Sequence, residues 1–383
     1  MNLEALTHVD EALRRRGLDA ALLTSPWTIT WLTGYAPPVQ TGPSPFDGGP
    51  ALAWYSAGDL TLITSDGEVA AARSAGCEVR EYAGYTIDEP LDVVERQSAI
   101  VRQLIGGSGG RGRGARVAVE MRFLTAPLLR ALEESIPGAT LDPIDGVLEP
   151  LRAVKTADEI AKMRAALALC DLAQTEVRDR LRPGISEIAL WGEMKASLEV
   201  RAGSRLPLLA DLVAGTRTGD IGGPPGAYVL REGDPVMADI VPRLDGYWGD
   251  ICGGHFVGDP SDDMARIWGI VRDTLRRGID AVRPGVVARD LDALMQDSIR
   301  DAGYEPYPHH SGHGLGVSFH EEPRIVPYNV MVLEPGMIVA LEPGIYFPGI
   351  GGVRLEDVVL LNQGGCEVLT RHLVEPRAGG GVA

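Results

Sequence analysis

Four of the seven histidines in this chain fall between positions 309 and 320, in the segment PHHSGHGLGVSFHEEP: His309, His310, His313 and His320. Histidines grouped among glycines suggest a site, because imidazole supplies metal ligands or acid–base groups and glycine lets backbone and ligand come close. A second feature is acidic. The β-like runs Pro235–Val241 (PVMADIV) and Tyr247–Phe256 (YWGDICGGHF) flank a turn around Asp245-Gly246 and spell a hairpin. A turn centred on Leu244–Asp245 sets Asp239 directly opposite Asp250. One centred on Asp245–Gly246 sets Asp250 opposite Val241, two residues from Asp239. Side chains alternate with period two, so both registers put the two carboxylates on one face. Carboxylates that close repel unless a cation lies between them, which is the chemistry of a metal site.

A third segment, Val332–Glu356, adds carboxylates. Glu334 and Glu342 each precede a Pro-Gly turn, and Arg354 and Glu356 lie two apart on an expected strand. Two aspartates, one histidine and two glutamates make a mostly oxygen donor set. Such a set suits Mn2+, Fe2+ or Co2+, admits Zn2+ and excludes metals that demand thiolate. Carboxylates shared by two cations give a dinuclear centre, able to activate water and polarise a carbonyl together.

The elements that must position these residues are those of an α/β chain. With 383 residues, two domains are expected, divided near Leu151 into 1–150 and 151–383. The first part alternates helices and short strands. Met1–Arg16 carries Leu3, Leu6, Val9 and Leu13 at helical spacing, Ala20–Thr24 reads as a strand, and Ala51–Trp54 and Asp59–Thr64 form a strand pair around Gly58. Gly34–Pro50 is a long Pro- and Gly-rich loop, and Gly106–Gly114 (GGSGGRGRG) is a flexible connection. The second part opens on a capping box, Thr156 with Glu159, followed by one apolar helical face from Ile160 to Leu181. Arg182-Pro183-Gly184-Ile185 ends that helix, and Arg283-Pro284-Gly285-Val286 echoes it about a hundred residues later, which suggests an internal duplication.

Charge and composition narrow the partners. Thirty-six basic against 53 acidic residues leave a net charge of −17, a poor match for nucleic acid or an anionic membrane. No apolar run approaches a membrane span, and the N-terminus reads as an amphipathic helix, not a signal peptide. The four cysteines are widely spaced with no CxxC pair, as for free thiols in a reducing compartment. A cytoplasmic protein is expected.

The ordered set Asp239, Asp250, GHGLG at Gly312–Gly316, LEPG at Leu341–Gly344 and VRLED at Val353–Asp357 resembles the M24-type metallopeptidases: aminopeptidase P, prolidase and methionine aminopeptidase. ALLTSPWTITWLTGY and LRAVKTADEIAKMRAA are similar to the two-domain members, the prolidase and creatinase branch. The resemblance covers nearly the whole chain. It implies a creatinase-like α/β N-terminal domain and a pseudo-twofold pita-bread catalytic domain. It further implies two divalent ions, Mn2+ foremost, with Asp239, Asp250, His313, Glu342 and Glu356 as ligands, Asp250 and Glu356 as bridges. Glu342 would also assist proton transfer, and His320 would stabilise the developing oxyanion or the leaving nitrogen. His309, Tyr346 and Arg354 match substrate-side positions. The expected substrate is a small Xaa-Pro peptide, dipeptides favoured, handled by a homodimer.

Two departures bear on the substrate. Family members carry a substrate-contacting histidine upstream of the first ligand aspartate, and Gly222 stands at the matching place here. The segment after Asp250 is also altered, to Ile251-Cys252-Gly253-Gly254. His255 or His310 could substitute, and the Gly34–Pro50 loop, with Asp47, is a candidate gate against longer chains. Longer Xaa-Pro peptides and a small non-peptide C–N substrate are the competing readings. A binding module without turnover, or a creatinase, is disfavoured because the ligand set is complete.

Overall fold

A computed structural model of the chain describes residues 1–18, 20–39, 48–107, 116–138 and 140–372. The chain divides into two compact units, Met1–Arg152 and Ala153–Ala383.

The first unit is built on a six-stranded sheet. Its strands are β1 (Ala20–Leu23), β2 (Leu52–Ser56), β3 (Asp59–Ser65), β4 (Glu78–Tyr82), β5 (Arg116–Val119) and β6 (Thr140–Pro143), in the order β4-β3-β2-β1-β5-β6. Leu22, Leu52, Ile63 and Val117 pack with Leu128 and Leu132 of the helix Ala126–Ser135. The first helix, Leu3–Arg15, buries Ala5, Leu6, Val9 and Leu13. Leu3, expected on that face, is 67% exposed. It begins the helix, beyond the packed stretch, and Ala5 is buried instead. The TSPWTITWLT segment is a strand end followed by the helix Pro26–Thr33, capped by Ser25. Buried Glu120 ties that junction to β5 by accepting from the Thr24 and Ser25 amides at 2.8 and 2.9 Å. Of the candidate gate, residues 40–47, Asp47 among them, lie outside the described residues, as do positions 108–115 of the glycine-rich connection. Gly34–Val39 and Gly48–Pro50 carry no helix or strand.

The second unit repeats one motif twice. The helix Ala157–Arg180 opens on the expected capping box: the Glu159 amide donates to Thr156 Oγ1 and the Thr156 amide to the Glu159 carboxylate. After it, Gly184 adopts φ +91°, its amide donates to the Leu230 carbonyl, and the Leu230 amide donates back to Ile185. The helix Asp262–Ala281 is followed by the same arrangement. Gly285 adopts φ +91°, its amide donates to Leu333, and the Leu333 amide donates back to Val286. The bridges Ser186–Val229 and Val287–Val332 complete the match. A positive φ is what glycine tolerates and a β-carbon resists. The Pro-Gly echo therefore marks a true structural repeat.

Each half contributes a sheet. In the first half β7 (Leu208–Ala214), β8 (Pro235–Leu244), β9 (Tyr247–Trp248) and β10 (Ile251–Phe256) pair in the order β10-β8-β7, with β9 on β8. In the second, β11 (Gly312–Gly314), β12 (Glu321–Ile325), β13 (Ile338–Leu341), β16 (Asp357–Asn362) and β17 (Gly365–Val368) run β12-β11-β13-β16-β17. Between β13 and β16 lies the hairpin of β14 (Gly344–Phe347) and β15 (Gly351–Arg354). Among the described residues, no helix is long and apolar enough to cross a membrane.

Candidate metal centre

The acidic hairpin turns on Asp245–Gly246, both at positive φ (+48° and +86°), the pattern of a two-residue type I′ turn. Arg243 pairs with Trp248, Ile240 with Ile251 and Asp239 with Cys252. The second register expected above is therefore adopted, and alternation brings Asp239 and Asp250 to one face. The same alternation turns His255 to the other face, where its Nε2 lies 2.8 Å from Gln174 Oε1. Gln174 in turn donates to the Ala238 and Ile251 carbonyls. His255 thus braces the sheet and does not replace a substrate histidine.

The second half completes the cluster. His313 sits in β11, Glu342 directly follows β13, and Glu356 lies between β15 and β16. Backbone bonds fix the junctions: the Glu342 amide donates to Ser311 and the Glu356 amide to Cys252, at 3.0 and 2.9 Å. Donor atoms of Asp239, Asp250 and Glu356 lie within 4.8 Å of one another, as do those of His313, Glu342 and Glu356, and those of Asp250, His313 and His320. His313 Nδ1 donates to the Gly314 carbonyl at 2.9 Å. That leaves Nε2 bare, 3.7 Å from Asp250 and 3.5 Å from Glu342, the tautomer a metal ligand needs. Glu334, the other glutamate before a Pro-Gly turn, is exposed and outside the cluster.

Around this centre runs a hydrogen-bonded chain. His309 Nδ1 donates to the His310 carbonyl, so its Nε2 accepts from the Tyr346 hydroxyl, each at 2.8 Å. Tyr346 oxygen accepts from Arg354 Nη1 at 3.4 Å, and Arg354 Nη2 meets Asp239 at 2.5 Å. Arg354 is buried and also donates to the Ile221 carbonyl. Beneath His309, Ser311 Oγ donates to Asp292 at 2.6 Å and lies 2.5 Å from the Tyr307 hydroxyl, whose ring stacks on His309. His320 is exposed at the end of the loop leading to β12, its ring 4.3 Å from that of His313. The following residue, Glu321, anchors that loop. Its carboxylate accepts from the Ser318 amide and pairs with Lys155 Nζ at 2.8 Å, both side chains buried.

Two site residues escaped the sequence reading. His310, considered only as a stand-in for a missing histidine, places Nδ1 2.9 Å from Glu342 Oε1, although not aligned as a hydrogen bond. Asp211 of β7 pairs directly across from Asp239. A lone aspartate in the apolar run LLADLVA was its signal.

Electrostatics separate the carboxylates. Burial, then the neighbouring Glu356, Asp239 and Glu342, pushes Asp250 well above its ordinary range. Burial, followed by Asp239 and Glu342, does the same to Glu356. Burial also pushes Glu342 up, but His310, His313 and Arg354 outweigh it and bring the group down to about 2. Partial desolvation of its ring against the cluster, with His313 and His310 nearby, lowers His320 to about 4, which makes it a neutral imidazole at pH 7. The buried atoms Asp239 Oδ1, Glu342 Oε1 and Glu356 Oε1 have no hydrogen-bond partner. Crowded carboxylates with orphaned oxygens beside a bare imidazole nitrogen fit hard-to-borderline divalent ions.

A pH dependence follows. Asp250 and Glu356 have folded-state pKa values raised above the ordinary 3.8 and 4.5. Their contribution to the metal-free fold is fully present below those values and is lost as pH rises past them. Divalent ions prefer the ionised ligands, so they oppose that loss. Melting with and without Mn2+ between pH 5 and 8 is expected to show a stabilisation by metal that widens with pH. A gap that narrows would contradict this assignment of the charges.

Residues 161–363 match the model of metallopeptidase family M24, and residues 6–154 match that of the creatinase/prolidase N-terminal domain. An uncharacterized peptidase of Bacillus subtilis is 30% identical over 373 residues, 97% of this chain and 98% of its own. The Xaa-Pro dipeptidase of Pyrococcus furiosus is 32% identical over 229 residues, 60% of this chain and 66% of its own. Among solved structures, an Xaa-Pro dipeptidase from Bacillus anthracis superimposes with a TM-score of 0.82 at 30% identity, covering 97% of this chain and 98% of that one.

Proposed function

Since the chain belongs to metallopeptidase family M24, we propose that it is an Xaa-Pro dipeptidase working with two divalent ions, Mn2+ foremost. One observation carries the reading: four carboxylates, Asp239, Asp250, Glu342 and Glu356, converge with the bare Nε2 of His313. These five residues would hold the ions. When bound, the ions supply Lewis-acid polarisation of a carbonyl and activation of water. The Bacillus anthracis and Pyrococcus furiosus relatives, named for that activity, support the choice of substrate.

The chain's own residues do the rest. Glu342, kept ionised by His310, His313 and Arg354, accepts the proton of the attacking water and passes it on. His320, neutral at pH 7, donates a hydrogen bond to the developing oxyanion or the leaving nitrogen. Proline's nitrogen is a tertiary amide without N–H, so the pocket needs an apolar wall and a cation for the terminal carboxylate. Tyr346 supplies part of the wall. Arg354, anchored through Asp239 and Ile221, takes the carboxylate, and His309, whose Nε2 accepts from the Tyr346 hydroxyl, holds that ring in place. The protein acts in the cytoplasm as a homodimer, a state that sedimentation equilibrium checks. The described cysteines are all free, in keeping with a reducing compartment.

Metal-loaded protein is expected to cleave Xaa-Pro dipeptides faster than tripeptides or longer chains, and Arg354→Ala to lower kcat/KM most for dipeptides. A panel of alanyl-proline, alanyl-prolyl-alanine and a longer Xaa-Pro peptide, assayed with Mn2+, decides. Equal cleavage of long peptides would make it an aminopeptidase. No cleavage of any proline peptide would turn the reading to a small-molecule C–N hydrolase.

A further inference from the structure

Asp211 lies at the edge of the centre, in β7, directly across from Asp239 in β8. Residues paired across an antiparallel ladder project to the same face, so its carboxylate shares the face of Asp239. It lies 3.6 Å from Arg354 Nη2, the same nitrogen that meets Asp239 at 2.5 Å. Its side chain is 39% exposed, against 16% for Asp239, so Asp211 is the more accessible of the two.

The neighbouring segment makes room for it. A β-carbon on Gly222 would fall 1.8 Å from Asp211 Oδ2 and 2.6 Å from its Cγ. Such a contact cannot exist, so any side chain at 222 would expel the carboxylate. The Gly222 segment is itself held in place: the Leu212 amide donates to the Gly223 carbonyl at 3.2 Å, and Arg354 donates to Ile221. Asp211 therefore occupies space that a larger residue at 222 would claim.

Charge indicates what that carboxylate serves. Asp239, Asp250, Glu342 and Glu356 together carry the four negative charges that two divalent ions neutralise. Beside them lie Arg354, buried and anchored on Asp239, and Asp211, which is left as the accessible carboxylate at the edge. A zwitterionic dipeptide offers one ammonium and one carboxylate, which this pair complements. We propose that Asp211 is a specificity-determining residue that receives the free α-ammonium of the substrate, in a niche opened by Gly222. The inference rests on the peptidase reading above and deepens it: the substrate must carry an unblocked amine.

The test compares alanyl-proline with propionyl-proline, which lacks only the amine. Metal-loaded wild type is expected to have a KM for alanyl-proline about tenfold to a hundredfold lower than for propionyl-proline, the range of one charge-assisted contact. Asp211→Asn should erase most of that ratio by raising KM for the amine substrate, with metal content unchanged. Asp211→Glu should restore part of it. Gly222→Ala should reproduce the defect, because its methyl displaces the carboxylate. The proposal is overturned if Asp211→Asn keeps the ratio, or if it lowers kcat equally for both substrates with loss of metal. Calorimetric binding of the same two compounds to the metal-loaded protein separates the two readings. If neither compound is hydrolysed, yet alanyl-proline binds more tightly through Asp211, the peptidase reading fails and the amine niche stands. If binding shows no preference for the amine, the niche fails whatever the turnover.

Discussion

Asp250→Asn is expected to remove both ions and lower turnover by about a thousandfold or more, since Lewis-acid polarisation is worth several kcal/mol and each 1.36 kcal/mol is tenfold in rate. The same substitution should raise the melting temperature of the metal-free protein. Asp250 is crowded by Glu356, Asp239 and Glu342 in a buried pocket, and an amide removes that repulsion at nearly constant volume. Opposite signs for metal-free stability and activity distinguish a ligand from a residue that merely supports the fold. Metal analysis, calorimetric melting and dipeptide assays read the three quantities. A variant that kept two ions per chain and near-normal turnover would exclude Asp250 from the centre.

His320→Ala should spare the metal and still cost about 10²–10⁴-fold in turnover, the usual contribution of a positioned acid–base group. His320 stands at the rim of the cluster, exposed, whereas His313 is buried with Nε2 between Asp250 and Glu342. His313→Ala should therefore reduce metal content and His320→Ala should not. If the two variants lost metal equally, His320 would be a ligand, a role its 4.8 Å grouping with Asp250 and His313 allows.

What was legible in the sequence was whatever obeys local periodicity. Asp239 and Asp250 shared a face in either hairpin register, because parity does not depend on which turn is chosen. The capping box and the two Pro-Gly helix ends were equally local. The same parity rule excluded His255 from the site, had it been applied to β10. Asp211 and His310 were hidden for a different reason. Asp211 meets Asp239 only through the pairing of β7 with β8, and His310 reaches Glu342 only once β11 lies beside β13. Nor did anything near Lys155 announce that it would be buried against Glu321, far along the chain, and steady the loop that carries His320.

The repeat also sets a timetable. Asp239 and Asp250 belong to the first copy, and His313, Glu342 and Glu356 to the second. A ribosome adding about 5–20 residues per second finishes the acidic hairpin several seconds before it reaches Glu356. During that interval the nascent chain carries the paired aspartates without the full set of His313, Glu342 and Glu356. The binding site comes into being only when β13 and β16 have closed on β11. On the proposed ligand set metal capture is thus a late event: a chain interrupted before Glu356 would lack one of the five residues.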